Sequence, residues 1–250
     1  MQRPPLAHSF QLSGLHDLDR RKADALAGRL RPRVPVLPLD LLIQRSDVVA
    51  EAASAAAAPT IVAHALRRGR TVLALSVGGL LPCRHQFSRW TRAGGRLIIP
   101  SGAIAGLDGL KAARLGRLRR VTLTTRKPPR TLAGAPGAAR YRARLAHLTA
   151  PLTLFHGSAA RAVRAFPQNV NVAATLALAG LGPTRTRVRI VADPTVRHNI
   201  HEMEAVGTSG RLVVRTENRP SARNPKTSEL AILSATAALH ALAQSWRVGT

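Results

Sequence analysis

Asp47-Val48-Val49-Ala50-Glu51, Thr71-Val72-Leu73-Ala74-Leu75-Ser76-Val77 and Arg96-Leu97-Ile98-Ile99, with the stretches between them, decide how this chain folds. Each quoted run is short and apolar, as a buried strand is. An Ala-rich stretch from about Pro59 to Arg68 and a second stretch from Arg84 to Ala93 have the length and periodicity of helices. Strands that alternate with helices in this way imply a parallel sheet, because parallel neighbours need a crossover connection. Upstream, Phe10-Gln11-Leu12-Ser13-Gly14-Leu15-His16-Asp17 reads as a further strand ending in an acid. Arg20 to Leu30 reads as a helix with Ala23, Leu26, Ala27 and Leu30 on one side.

The pattern changes after about residue 115. Leu118 to Arg126 alternates as a strand, whereas Lys127 to Tyr141, punctuated by Pro128, Pro129, Gly134, Pro136 and Gly137, reads as a loop or insertion. Helices are predicted over 159–165 and 170–179, and strands over 185–192, 199–206 and 211–216. The Asp-Pro and Gly-bearing turns between these strands point to antiparallel pairing. Ser228 to Ser245 places Leu230, Leu233, Ala237, Ala238 and Leu242 at helical spacing, which predicts a packed amphipathic helix. The expected plan is an α/β unit over 1–115 followed by an α+β unit over 116–250.

A chain of 250 residues that is 45% hydrophobic can bury a substantial core. Arg, Gly or Pro interrupts every apolar run before it reaches membrane-spanning length, and Met1-Gln2-Arg3-Pro4-Pro5 does not lead into a secretory signal. Cys83 is the single cysteine, so a reducing cytoplasm is the simplest setting. The net charge of +26 invites a nucleic-acid reading. Against it, the basic residues are almost all Arg and are scattered, with Lys only at 22, 111, 127 and 226, and the aromatic content of 3% is too low for a base-stacking platform. Abundant Ala, Arg, Gly and Pro with scarce Lys is what a GC-rich coding sequence produces, and that bias explains the charge better than polyanion binding does. The histidines are dispersed, and His198 and His201 have no third ligand at a zinc-like spacing, so no metal site is expected. Ser76 and Ser101 lack a nucleophile-elbow setting.

The chain resembles the L-aspartate dehydrogenase family through an ordered set of motifs. These are Asp47-Val48-Val49-Ala50-Glu51-Ala52-Ala53, Leu75-Ser76-Val77-Gly78, Pro100-Ser101-Gly102-Ala103-Ile104-Ala105-Gly106-Leu107-Asp108 and Arg126-Lys127-Pro128-Pro129, followed by Gly157-Ser158-Ala159, Asn169-Val170-Asn171-Val172-Ala173-Ala174, Asn199-Ile200-His201 and Asn224-Pro225-Lys226-Thr227-Ser228. Gly79 stands where the family more often has Ala, which reads as a mild change. The resemblance implies a Rossmann-like α/β domain followed by an α+β substrate and dimerisation domain. It also implies oxidation of L-aspartate with NAD or NADP to iminoaspartate, which hydrolyses to oxaloacetate or enters NAD biosynthesis, and a homodimer. The rival expectation is a catalytically silent paralogue that binds polyanions through its Arg-rich surface.

In a dinucleotide-binding fold, an acid at the end of the second strand binds the adenosine ribose about 20 residues beyond a Gly-x-Gly-x-x-Gly turn. If Asp17 is that acid, the turn falls before Met1, so the first βα unit is expected to be missing and cofactor binding by this form to be weak. A solvated loop acid preceding a helix is the other reading of Asp17. Arg20 and Arg21 leave the choice between NAD and NADP open.

Carried over from the family, the active-site His falls on His201 and the cofactor contacts on Ala103 and Asn171. An imidazole titrating near neutrality suits the proton transfers that amine oxidation and imine hydrolysis need. Asn171 reads as a donor to the cofactor amide, unless Asn169 merely caps the helix there. Lys226 is the expected contact to a substrate carboxylate. Its competing reading is a solvated charge beside Thr227 or Ser228, either of which can cap the last helix.

Overall fold

The computed structural model describes residues 9–167, 170–225, 227–246 and 248–249. Its first sheet consists of β1 (Val48–Glu51), β2 (Thr71–Ala74) and β3 (Arg96–Ile98), adjacent in that order and parallel throughout. Helices α1 (Arg20–Arg29) and α2 (Leu39–Arg45) precede it, and α3 (Ala58–Arg67) supplies the crossover from β1 to β2. Val62, Ala65 and Leu66 of α3 are buried against Val49, Val72 and Ala74, so the apolar stripe that marks this helix in the sequence is its sheet-facing side. This is the Rossmann-like α/β architecture that the alternating pattern predicts.

Three expectations in this region need correction. The strand at Phe10–Asp17 is reduced to a single parallel bridge between Leu15 and Val36. Its partner segment contains Pro35 and Pro38, which have no N–H to extend a ladder. The helix at 84–93 is broken into single turns, Leu81–Gln86, Phe87–Trp90 and Thr91–Ala93. Gly79, ahead of them, is no mild replacement here, because a Cβ at this position would collide with the Ala55 carbonyl. The backbone of residue 79 packs directly on the loop after β1, and that close approach requires glycine.

The second sheet has the order β5-β6-β4-β7-β8. It contains β4 (Leu118–Lys127), β5 (Leu152–Ser158), β6 (Arg187–Ala192), β7 (Asn199–Gly207) and β8 (Gly210–Asn218). β7 and β8 form the predicted antiparallel hairpin. β6 and β7 do not pair with each other despite the Asp193-Pro194 turn between them. Instead β4 lies between them, parallel to β6 and antiparallel to β7, and the Asp193 N–H donates to the Lys127 carbonyl at 2.9 Å. Strand β5 and helix α4 (Leu107–Leu115) have no counterpart in the sequence expectation. The segment predicted as a loop after Lys127 folds into helical turns, Pro129–Leu132, Pro136–Tyr141 and Arg142–Ala146, which bury Leu132, Ala138 and Leu145. Helices α5 (Ala159–Ala165) and α6 (Asn171–Ala179) match expectation.

The last helix, α7 (Glu229–Ala243), forms as predicted but does not pack as predicted. None of its residues is buried, and Leu230, Ile232 and Leu233 are exposed. Apolar residues occur around the whole helix, so it presents more than one apolar face and the chain covers none of them fully. The Ser228 hydroxyl at its N-cap donates to Asn218 Oδ1 at 2.9 Å instead of capping the helix.

Candidate active site

One face of the second sheet changes character along its strands. Because residues directly opposite on adjacent strands share a face, Val121, Leu123, Thr125 and Lys127 of β4 lie beside Ala205, Met203 and His201 of β7, and beside Val188, Ile190 and Ala192 of β6. β8 continues this face with Leu212, Val214, Thr216 and Asn218. The first part of the face is apolar and belongs to the main core, which also contains Leu110, Phe166 and Leu176. At the level of Thr125 it becomes a polar row consisting of Thr125, Lys127, Asn199, His201, Thr216 and Asn218.

His201 is 4% exposed, and its Nδ1 lies 3.0 Å from Thr125 Oγ1, its direct cross-strand neighbour. Burial pushes the imidazole down to about 3, and the nearby Lys127 charge pushes in the same direction. The ring is therefore neutral at physiological pH in the unliganded protein and does not titrate near neutrality as the sequence reading supposed. Lys127 is 8% exposed, and desolvation lowers its ammonium to about 8. Beside it, Asp193 is also buried. Burial by itself would raise this carboxyl, but the Thr195 N–H and O–H, at 2.9 and 2.6 Å, and Arg126 Nη1, at 3.3 Å, hold it below the usual range.

The loop that follows β3 lies over this polar row. Gly106, at φ +78°, seats the loop on the sheet; a Cβ there would stand 2.6 Å from Val214 Cγ2 and 3.0 Å from Met203 Cε. The Ala103 carbonyl accepts from Thr216 Oγ1 at 3.0 Å and from Asn218 Nδ2 at 2.9 Å, and Thr216 Oγ1 is also 3.5 Å from the His201 carbonyl. Gly102 N–H donates to Ser234 Oγ of α7 at 2.9 Å. Asn171 begins α6, and its Oδ1 accepts the Gly78 N–H at 3.0 Å. The loop after β2 is thereby tied to the second half of the chain. Glu51, 2% exposed, uses both carboxylate oxygens to hold the ends of β1 and β2, accepting from Ala53 N–H at 2.9 Å and Ser76 N–H at 3.0 Å.

The loop at the carboxyl end of β3 therefore lies on the polar row, at the end of a parallel sheet where open α/β folds bind ligands. Ala103 and His201 are linked through Thr216, and Asn171 meets the adjoining loop at Gly78. Asp17 is exposed and accepts the Asp19 N–H at 2.8 Å; no described hydrogen bond joins it to Ala103, Asn171 or His201. Lys226 and Asn169 lie outside the described residues. A cleft of about 500 Å³ beside Pro100, Ser101, Gly106, Ser234 and Ala238 does not include His201 in its lining.

Sequence reasoning missed Thr125 and Lys127. Their signal was the period-2 alternation of β4, which continues Val121 and Leu123 onto Thr125 and Lys127 and so puts a lysine on the buried face. Reading Lys127 as the first residue of a loop hid it.

Residues 108–242 match the family model described as aspartate dehydrogenase, C-terminal, and residues 1–99 match the NAD binding domain of homoserine dehydrogenase. A Methanosarcina barkeri protein named L-aspartate dehydrogenase is 43% identical over 96% of this chain and 90% of its own length. A Bordetella bronchiseptica protein named L-aspartate dehydrogenase 3 is 42% identical over 92% of this chain and 84% of its own. The crystal structure of an aspartate dehydrogenase from Thermotoga maritima superposes with a TM-score of 0.74 at 26% identity, covering 98% of this chain and 93% of that one.

Proposed function

The chain belongs to the L-aspartate dehydrogenase family, and from that premise we propose that His201 is its acid/base and that Ala103 and Asn171 face the nicotinamide. The protein is an NAD(P)-dependent oxidoreductase acting on L-aspartate. The observation that carries the assignment of His201 is its link to the Ala103 loop, since Thr216 Oγ1 lies within 3.5 Å of both carbonyls.

The residues around this loop fit a nicotinamide ring. Glu51 holds the ends of β1 and β2, Asn171 holds Gly78, and the surroundings of Gly102 are open, with no atom within 4 Å of where a Cβ would stand. When bound, the cofactor supplies the hydride acceptor. In this assignment Nδ1–H of His201 donates to Thr125, which leaves Nε2 as the base. Nε2 takes a proton from the substrate ammonium, so that the amine lone pair can assist loss of hydride from the α-carbon; once that proton has passed to solvent, Nε2 is free again to accept one from the water that adds to the imine carbon. Asn171 Nδ2 and the backbone of Ala103 serve the carboxamide end of the cofactor.

Asp17 is assigned to the ribose of the adenosine half, and Lys226 to one of the two substrate carboxylates. Residues 1–115 then form the dinucleotide-binding domain and 116–250 the catalytic and dimerisation domain. Single-cysteine usage fits a cytoplasmic enzyme, and the imine product suits a role in NAD biosynthesis. Among the described residues, no helix is long and apolar enough to cross a membrane.

We assign α7 to a homodimer interface, because Leu230 and Leu233, less than one turn apart, are exposed on one side of it and Ile232 is exposed on another. Sedimentation should show a dimer that Leu233→Glu converts to monomer; an unchanged mass for this variant would remove α7 from the interface. For the chemistry, L-aspartate-dependent formation of NADH or NADPH should fall by about 100- to 10,000-fold in His201→Ala. Activity within a few-fold of the parent would displace His201 from the acid/base role.

A further inference from the structure

We propose that Glu51 is a positioning residue for the nicotinamide half of the cofactor, acting through Ser76, Gly78 and Asn171. This rests on the dehydrogenase reading above and adds to it a residue that governs the cofactor contact from a distance. Glu51 is 2% exposed, and burying a carboxylate is costly unless donors meet it. Each of its oxygens meets a different backbone N–H, Oε1 that of Ala53 at 2.9 Å and Oε2 that of Ser76 at 3.0 Å. A glutamine has one acceptor oxygen and would turn an NH2 group towards the other donor, so only a carboxylate of this length satisfies both. The pairing of β1 with β2 does not need this side chain, because the Leu75 N–H already donates to the Glu51 carbonyl at 2.9 Å. What the carboxylate adds is control over the residues beyond the strands.

Ser76 precedes the single helical turn Val77–Leu80, and its carbonyl accepts the Gly79 N–H at 3.1 Å. Fixing Ser76 at the head of this turn fixes the direction of the Gly78 N–H, which donates to Asn171 Oδ1 at 3.0 Å. An N–H can only donate, so the Asn171 atom that meets it is the carboxamide oxygen, and Nδ2 is the atom left to donate elsewhere. The contact is close: a Cβ on residue 78 would stand 3.2 Å from Asn171 Oδ1. Glu51 thus selects, through the turn, the orientation in which Asn171 offers a donor to the carboxamide oxygen of the nicotinamide. When the Ser76 bond is lost the turn can shift, and the acceptor role that holds the Asn171 side chain in that orientation goes with it.

The test is calorimetric titration of the full chain with NAD, with NADP and with ADP-ribose, which carries the adenosine half and the pyrophosphate but no nicotinamide. Glu51→Gln should weaken binding of the nicotinamide dinucleotide at least about 10-fold and leave ADP-ribose within about two-fold of the parent. In an Asn171→Ala background the same substitution should change dinucleotide affinity by less than about two-fold, because the relay has lost its last member. Thermal melting establishes that each variant is folded, and Glu51→Asp, one methylene too short to reach both amides, serves for the comparison if the Gln form does not fold. Unchanged dinucleotide affinity in the Glu51 variant overturns the proposal. So does an equal loss for ADP-ribose, or a loss that persists undiminished beside Asn171→Ala, since Glu51 would then only support the loops. If Asn171→Ala by itself leaves dinucleotide affinity unchanged, the assignment of Asn171 to the nicotinamide fails and the relay with it; a parent that binds neither NAD nor NADP refutes the dinucleotide reading itself.

Discussion

Val121, Leu123, Val188, Ile190, Met203 and Ala205 occupy one end of the inner face of the five-stranded sheet, and Thr125, Lys127, His201, Thr216 and Asn218 occupy the other, on continuations of the same strands. Backbone pairing is continuous through both ends. The apolar end closes on Leu110, Phe166 and Leu176 and contributes to the core. The polar end instead buries a lysine and a histidine, groups whose charged forms desolvation penalises. The contrast shows where this fold keeps its stability and where it gives some up. The site is built by continuing a core strand pair by two to four residues and changing only the side chains. A catalytic group on such a strand inherits the rigidity of the core beneath it.

The strongest way to break this comparison is to exchange the sensitivities of its two ends. Met203 is fully buried one pleat from His201, on the same face. Met203→Ala should cost about 2–5 kcal/mol in denaturant unfolding. Specific activity per folded molecule should change little. His201→Ala should do the reverse, abolishing turnover with a smaller stability loss. If both variants lose stability equally and keep proportionate activity, the two ends are not functionally distinct.

The first sheet was legible because its signals are local. β1, β2 and α3 can be read from apolar runs and one helical stripe, and the structure places them within a few residues of expectation. The second sheet was legible as strands but not as a sheet. Nothing local at Asp193-Pro194 reveals that β4, some sixty residues earlier, will insert between β6 and β7. Ala103, Asn171 and His201 could be named from motifs, but the link of Ala103 to His201 through Thr216 depends on that insertion and on Gly106 seating the loop. Lys127 was hidden for another reason. The Pro128-Pro129 pair reads as the start of a loop, and the strand runs right up to it. The environment of α7 was misread because helical periodicity shows that a helix has apolar faces, not whether the same chain covers them.

A gentler probe sharpens the comparison through pH. The folded His201 sits at about 3, against an ordinary value of 6.5. Between these values the unfolded chain binds a proton at this residue that the folded chain refuses, so folding stability declines as pH falls from about 6.5 towards 3, by roughly 1.4 kcal/mol per pH unit from this group. Above about 6.5 the residue is neutral in both states and adds no slope. Lys127 acts in a separate window. With the folded ammonium at about 8 and the unfolded one at 10.5, stability rises as pH increases from about 8 to 10.5 and is level with respect to this group below 8. Other residues titrate too, so the informative quantity is the difference between the parent and His201→Gln in urea unfolding from pH 7 to pH 5. The parent should lose about 2 kcal/mol more than the variant across that range. Parallel curves would mean that the imidazole is as easily protonated in the folded chain as in water, and the polar end of the sheet would then be open to solvent, not a continuation of the core.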